Sequence, residues 1–359
     1  MQQLLVNKSN IKQTKITETP SPELAPGEVR LKVDRFALTA NNITYAVAGD
    51  MIGYWQFFPA AEDGWGIVPV WGHADVIESK CEGIDPGERV YGYFPMAEEL
   101  VVQPTRLREH AFTDGIAHRT QLPPVYNEYV RLAAIPTHDP ALEDLQAILY
   151  PLFATSYVIC DYLQDNNYFG AKQLLIGSAS SKTALGVLQL LHDDKDPHPA
   201  VIGLTSTRNK AFVEDRQICD QVVIYDNVSE EIKQIPSVYI DMSGNAEVRI
   251  AVHTHLADKL LLSSSVGISH WDKFRPTEGL PGPKPEMFFA PAQIKKRQEE
   301  WGASVIQAKT LDAWRDLAIK SKDWLTVKEG HGLSSARQTY ADLLAGETSP
   351  TDGFIVKTG

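Results

Sequence analysis

The stretch Gly177-Ser178-Ala179-Ser180-Ser181-Lys182-Thr183-Ala184-Leu185-Gly186 is crowded with small hydroxyl residues and carries a lysine. It follows a short apolar run, Gln173-Leu174-Leu175-Ile176, and leads into leucines at helical spacing, Leu185, Leu188 and Leu191. A strand that turns directly into a helix offers backbone N–H groups at the helix start, where the helix dipole favours an anion. Small hydroxyl side chains let an oxyanion approach and can donate to it. The chemistry is that of a pyrophosphate cradle, with Gly177, Ser178, Ser180, Ser181, Lys182 and Thr183 as its residues. The pattern is not GxGxxG, because serines stand where glycines are usual. A plain turn capped by serine accounts for the loop alone equally well. A P-loop is excluded: GxxxxGK[ST] needs glycine at positions held by Ile176 and Ser181.

The next strand end discriminates better. It reads Leu204-Thr205-Ser206-Thr207-Arg208-Asn209-Lys210. A site for NAD usually has an acidic residue there for the ribose 2′-hydroxyl. This segment has none, and instead supplies hydroxyls and two cations, which suit a 2′-phosphate. Ser206, Arg208 and Lys210 are therefore assigned to NADP(H). A solvated first turn of a helix explains the same charges. The missing acid also counts against an S-adenosylmethionine-dependent methyltransferase.

These residues need elements to position them. Apolar runs at 173–177, 201–205, 222–225, 238–241 and 260–263 alternate with helical stretches, such as 246–258 with Val248, Val252 and Leu256 on one face. Strands of near-continuous apolar character alternating with helices predict an α/β class chain with a Rossmann-type doubly wound parallel sheet. The preceding ~140 residues read differently. Short alternating runs, such as Val29-Arg30-Leu31-Lys32-Val33, are broken by turns such as Asp85-Pro86-Gly87-Glu88, which predicts a β-rich domain. Residues 140–163 read as a helix interrupted at Pro151. Residues 268–285, with four prolines, read as a loop, and 291–302 as a helix with Pro291 at its start and Gly302 at its end.

Composition narrows the function classes. The chain has 359 residues, enough for two domains, with 43% hydrophobic and 22% charged residues. A net charge of −12 disfavours nonspecific nucleic-acid binding and anionic membranes. The three cysteines, Cys81, Cys160 and Cys219, are far apart and odd in number, so neither a zinc knuckle nor a disulfide framework is expected. No metal is expected: His73 lacks a nearby cysteine ligand, and His253 and His255 are two apart on a helix and do not share a face. No signal peptide or membrane-spanning run is read, so a cytoplasmic location is expected.

Taken in order, several segments resemble one family. Gly27-Glu28-Val29, Leu38-Thr39-Ala40-Asn41-Asn42, Gly72-His73, Asp85-Pro86-Gly87-Glu88-Arg89-Val90-Tyr91-Gly92, Pro151-Leu152-Phe153-Ala154-Thr155-Ser156-Tyr157, Asp241-Met242-Ser243-Gly244 and the closing segment 347–357 are the ones that carry the likeness. Over nearly the full length the chain resembles the medium-chain dehydrogenase/reductase superfamily, in its zinc-independent quinone reductase and enoyl reductase branch. The resemblance implies a GroES-like catalytic domain at 1–150, completed by 304–359, and an NADP-binding domain at 151–303. It implies a homodimer through the cofactor domains. It also implies Tyr54 as a proton donor, Asn41 and Asn42 as polar residues of the substrate cleft, and Thr155, Ser243 and Gly244 beside the cofactor. Tyr54 sits among Trp55, Phe57, Phe58, Trp65 and Trp71, and anchoring a long loop is the alternative for it. The departures are the serine-rich loop and Ala74, where the family's turn carries a glutamate. The expected activity is NADPH-dependent, metal-free reduction of a carbonyl, quinone or activated C=C of a small apolar substrate. The alternative is a non-catalytic NADPH-binding sensor or partner-binding protein on the same fold.

Overall fold

The computed structural model describes residues 1–267 and 279–359. The chain divides into two compact units, one made of residues 1–148 with 325–359 and the other of residues 149–324. The helix Ala303–Ser321 therefore lies in the second unit, and the return to the first begins at Leu325.

The first unit is β-rich, as expected of a GroES-like domain. Its main sheet has nine strands, mostly antiparallel. The long strands Val29–Leu38, Pro69–Ser79 and Arg89–Pro95 lie side by side at its centre. The closing strand Asp352–Lys357 adds antiparallel to Val29–Leu38, with Phe354 opposite Leu38. That pairing is why residues far apart in the chain share one unit. The helix Ala40–Val47 begins with a reciprocal cap: Thr39 Oγ1 accepts from the Asn41 N–H, and Asn42 Oδ1 accepts from the Thr39 N–H.

The second unit is the doubly wound sheet. Its strands are β1 (Gln173–Gly177), β2 (Ala200–Thr205), β3 (Gln221–Ile224), β4 (Ser237–Asp241), β5 (Leu260–Ser265) and β6 (Glu286–Met287). All pairs are parallel, in the order β3-β2-β1-β4-β5-β6. Its helices include α1 (Glu143–Asp165), which starts in the first unit's range, α2 (Lys182–Asp193), α3 (Lys210–Arg216) and α4 (Ala246–Leu256). Side chains alternate across the sheet. Leu174 and Ile176 of β1 pack with Leu185 and Leu188 of α2 on one face, and Leu175 joins Val248, Val252 and Leu256 of α4 on the other. Burial on both faces explains the near-continuous apolar strands.

Two expectations change. Helix α1 runs through Pro151 rather than breaking there. The missing N–H costs one hydrogen bond, but buried Ala147, Ile148, Leu149, Leu152 and Phe153 hold the helix on both sides. In the expected loop 268–285, residues 268–278 lie outside the described residues, and 279–285 form neither helix nor strand.

Candidate dinucleotide and substrate sites

Strand order reverses between β1 and β4, since β1 is followed in sequence by β2 on one side while β4 flanks it on the other. In open α/β sheets ligands bind at such a switch point, beyond the carboxyl ends of the strands. The serine loop lies there, between β1 and α2. Gly177 packs tightly: a Cβ on it would lie 3.0 Å from the Tyr239 hydroxyl. Ser178 then takes the left-handed conformation, φ 52°, that glycine adopts at least cost. Tyr225 is hydrogen-bonded to Ser178, while burial pushes its phenol up to about 12.

The rest of the loop is held by its own backbone. The Ala179 N–H donates to Leu204 O of β2 (2.9 Å) and the Ser181 N–H to Ser178 O (2.8 Å). Ser181 caps α2 by accepting from the Ala184 N–H (3.3 Å), and Ser180 Oγ accepts from Asn209 Nδ2 (3.0 Å). Each of these two hydroxyls accepts within the fold and has its own proton left to donate to an anion. Helix α2 comes close to α1: Ser156 Oγ donates to Thr183 O (2.8 Å), and a Cβ on Gly186 would lie 2.4 Å from that oxygen. Gly186 thus serves close helix packing. Thr155, expected beside the cofactor, back-bonds within α1 to Pro151 O (2.9 Å).

At the end of β2, Ser206 opens a 3₁₀ turn, Thr207–Asn209, that carries Arg208 exposed to solvent. Lys210 starts α3, with its ammonium 3.7 Å from Glu214. Thr205 is fully buried, and its hydroxyl has no hydrogen-bond partner among the described residues. At the end of β4, the buried Asp241 carboxylate gathers the turn. One oxygen accepts from the Ser243 and Gly244 N–H groups and the Ser243 hydroxyl, each at 3.0 Å. The other takes Arg249 Nη2 at 2.8 Å and Nε at 3.2 Å. Gly244, at φ 69°, lets the chain turn over this carboxylate.

The residues expected to meet substrate lie in the first unit. Tyr54 is 8% exposed, and its hydroxyl lies 3.3 Å from that of Tyr126. Burial, with the neighbouring Tyr126 and Tyr45 phenols, pushes Tyr54 far above the ordinary phenol range, so it stays protonated. Asn41 Nδ2 donates to the Tyr45 hydroxyl (2.7 Å). Asn42 is buried with both ends of its amide engaged, by the Thr39 N–H and by Pro69 O at 2.9 Å. These two bonds tie Asn42 to the helix start and to the strand Pro69–Ser79. His73 is fully buried, with Nε2 3.1 Å from Gln146 Oε1. Burial lowers its pKa to about 4, against the opposing pull of Glu143, so the ring is neutral at pH 7. His253 and His255 have separate partners, Ser263 with Pro281 O for one and Ile232 O for the other.

Among protein families, the model described as "Protein of unknown function (DUF2855)" matches residues 36–349. The chain belongs to this DUF2855 family. No curated protein matches it. Solved structures show that the DUF2855 chain has the medium-chain dehydrogenase/reductase fold. CurA from Vibrio vulnificus, in complex with NADPH, is 15% identical, with a TM-score of 0.64 over 100% of this chain and 99% of that one. Mycobacterial Rv1454c, complexed with NADPH, is 15% identical with a TM-score of 0.58, covering 99% of each chain. Glucose dehydrogenase from Haloferax mediterranei, in complex with NADP, Zn and gluconolactone, is 13% identical with a TM-score of 0.56 over 100% and 99%.

Four residues that shape these sites are not marked as site residues by the sequence of the DUF2855 chain. Ser156, Asn209 and Tyr225 reach the phosphate loop from three other elements, and Tyr126 reaches Tyr54 across 72 residues. Only the first offers a hint, through its place beside Thr155 in the helix entering the second unit.

Proposed function

We propose that this chain binds NADPH in its α/β unit and reduces a carbonyl, a quinone or an activated C=C of a small apolar substrate. The observation that carries the reading is the serine loop itself. It stands at the switch point of a parallel sheet in 3-2-1-4-5-6 order and turns straight into the N-terminus of α2. The loop fits the group despite its serines. Gly177 and Gly186 keep the close approaches, Ser178 supplies the left-handed turn, and the hydroxyls of Ser180 and Ser181 have protons to give.

In this reading the amides of the first turn of α2, with Ser178, Ser180, Ser181, Lys182 and Thr183, hold the pyrophosphate. Ser206, Arg208 and Lys210 hold the 2′-phosphate. Ser243, Gly244 and Thr155 would lie beside the cofactor, Thr155 near its nicotinamide. The bound nicotinamide supplies a hydride. The protein's own task is then to bind and stabilise the oxygen that becomes negative, which the protonated Tyr54 phenol does by donating a hydrogen bond. Asn41 and the indole of Trp71 orient the neighbouring Tyr45. Metal-free chemistry is part of the proposal, because no group of three or more His, Cys, Asp or Glu side chains among the described residues is placed to hold an ion.

The test is NADPH oxidation over a panel of quinones, enones and ketones, with Tyr54→Phe alongside. Turnover lost on Tyr54→Phe with NADPH binding intact supports the reading. NADPH binding without any turnover supports a sensor in place of an enzyme, and no NADPH binding removes both.

A further inference from the structure

Around Tyr54 the first unit gathers phenols. The rings of Tyr45 and Tyr54 are 4.3 Å apart, and Tyr126 stands edge-on to Tyr54 at 5.9 Å and to Phe57 at 5.3 Å. Tyr93 lies 4.8 Å from Tyr126 and 5.8 Å from Tyr45. Tyr45, Tyr54 and Tyr93 are buried, whereas Asn41, Trp71 and Tyr126 retain partial exposure, so the cluster reaches the surface of the unit.

The hydrogen-bond inventory of this cluster is unbalanced. Every hydroxyl brings one proton. Yet the Tyr54–Tyr126 contact, at 3.3 Å, is longer than a well-formed O–H···O bond of about 2.7–2.8 Å and can use only one of the two protons. The buried Tyr93 hydroxyl has only the Tyr45 hydroxyl beside it, in a contact too loose for a well-formed bond. The nearby Arg119 is already matched: 1% exposed, it pairs with Asp114 at 3.0 Å and donates to Asn127 and Tyr129. Its Nη2 fixes the Tyr126 backbone by donating to Tyr126 O at 2.6 Å. The cluster therefore offers phenol protons in a largely apolar setting, where Tyr45, Tyr54 and Tyr126 have neutral side-chain partners.

Two hydroxyl oxygens 3.3 Å apart can each lie about 2.7–2.8 Å from a third oxygen on their bisector. We propose that Tyr54 and Tyr126 form a two-donor hole for a negatively charged oxygen on an otherwise uncharged, planar molecule: an enolate, a hydroquinone anion or a phenolate. This rests on the proposed reduction and deepens it, by making Tyr126 a second catalytic residue and by excluding charged substrates from the cluster. Burial keeps both phenols protonated, which is the state a donor needs. Because aromatic packing holds both rings and Arg119 holds the Tyr126 backbone, the donors need little reorganisation as charge develops.

The test uses the full chain without NADPH and 4-nitrophenol as probe, whose ionised form is read by its visible absorption. The expected result is that the bound probe ionises at lower pH than the free probe. Tyr54→Phe and Tyr126→Phe should each weaken binding of the ionised form about tenfold, and each should return the midpoint about one pH unit toward the free value. The double variant should abolish the shift. Both substitutions keep the ring and remove only an oxygen, and circular dichroism checks the fold. If Tyr126→Phe does not fold, the wild-type shift and its loss in Tyr54→Phe remain the readout. The proposal is overturned if the probe binds with no shift, or if Tyr126→Phe ionises it as the wild type does. Failure of the NADPH reading shows separately, as absent NADPH binding with the probe shift intact.

Discussion

Replacing Arg208 by alanine tests the assignment of the second strand end. The guanidinium sits exposed on the turn after β2, where a 2′-phosphate would lie and a 2′-hydroxyl would not reward it. Two unit charges 4 Å apart in water interact by only about 1 kcal/mol. A charge-assisted hydrogen bond is worth about 1.5–3 kcal/mol. Exposure favours the lower end, about 1.5 kcal/mol, or roughly tenfold in Kd. Lys210 should matter less, by about threefold, because Glu214 stands 3.7 Å from its ammonium and offsets part of its charge. Fluorescence titration with NADPH and NADH, at low and high salt, reads both. The expected outcome is a tenfold weaker NADPH Kd with NADH unchanged, and a smaller NADPH preference at high salt. Equal loss for both coenzymes, or no loss for either, refutes the 2′-phosphate assignment.

Three further outcomes follow from the packing. Gly186→Ala places a Cβ 2.4 Å from Ser156 Oγ and 2.8 Å from Phe153 Cδ1; overpacking of about 1–3 kcal/mol exceeds the gain of about 1 kcal/mol in helix propensity, so Tm falls by a few degrees and NADPH binding weakens as the start of α2 shifts. Asp241→Ala strands the buried Arg249 charge and empties an acceptor of five hydrogen bonds, at a cost of about 3–5 kcal/mol in urea unfolding; a loss below about 1 kcal/mol contradicts the role given to that carboxylate. Buried His73 has its pKa lowered to about 4, and that of His253 is lowered too. The unfolded chain thus takes up protons before the folded one does, and stability that is complete above the unfolded value of about 6.5 falls as pH drops toward 4, by up to about 3 kcal/mol for His73. Melting curves at stepped pH should show that decline, and His73→Gln should flatten it.

The α/β unit was legible in the sequence because its physics is local. Strands buried on both faces read as unbroken apolar runs, and Gln173-Leu174-Leu175-Ile176-Gly177 forms the expected strand with Ser181 as the helix cap. The turn after Asp241 was likewise anticipated as a motif, though not the buried Arg249 that completes it. The helix through Pro151 was misread because proline's cost is local, whereas the burial that overrides it is tertiary. The two hydrogen bonds of the Asn42 amide, with the Thr39 N–H and Pro69 O, were not legible, since the second spans 27 residues. Tyr126 could not be found, since nothing in Pro123-Pro124-Val125-Tyr126 marks a phenol that will meet Tyr54. Long-range side-chain meetings leave no periodicity behind them.

The central claim is that the turn from β1 into α2 holds a pyrophosphate. Crystals grown with excess NADPH test it most directly. The account predicts pyrophosphate density within hydrogen-bond reach of the Ser178–Thr183 backbone and hydroxyls, with the 2′-phosphate beside Arg208. Coenzyme bound elsewhere, or that turn closed over by its own serine side chains in the presence of saturating coenzyme, would contradict it.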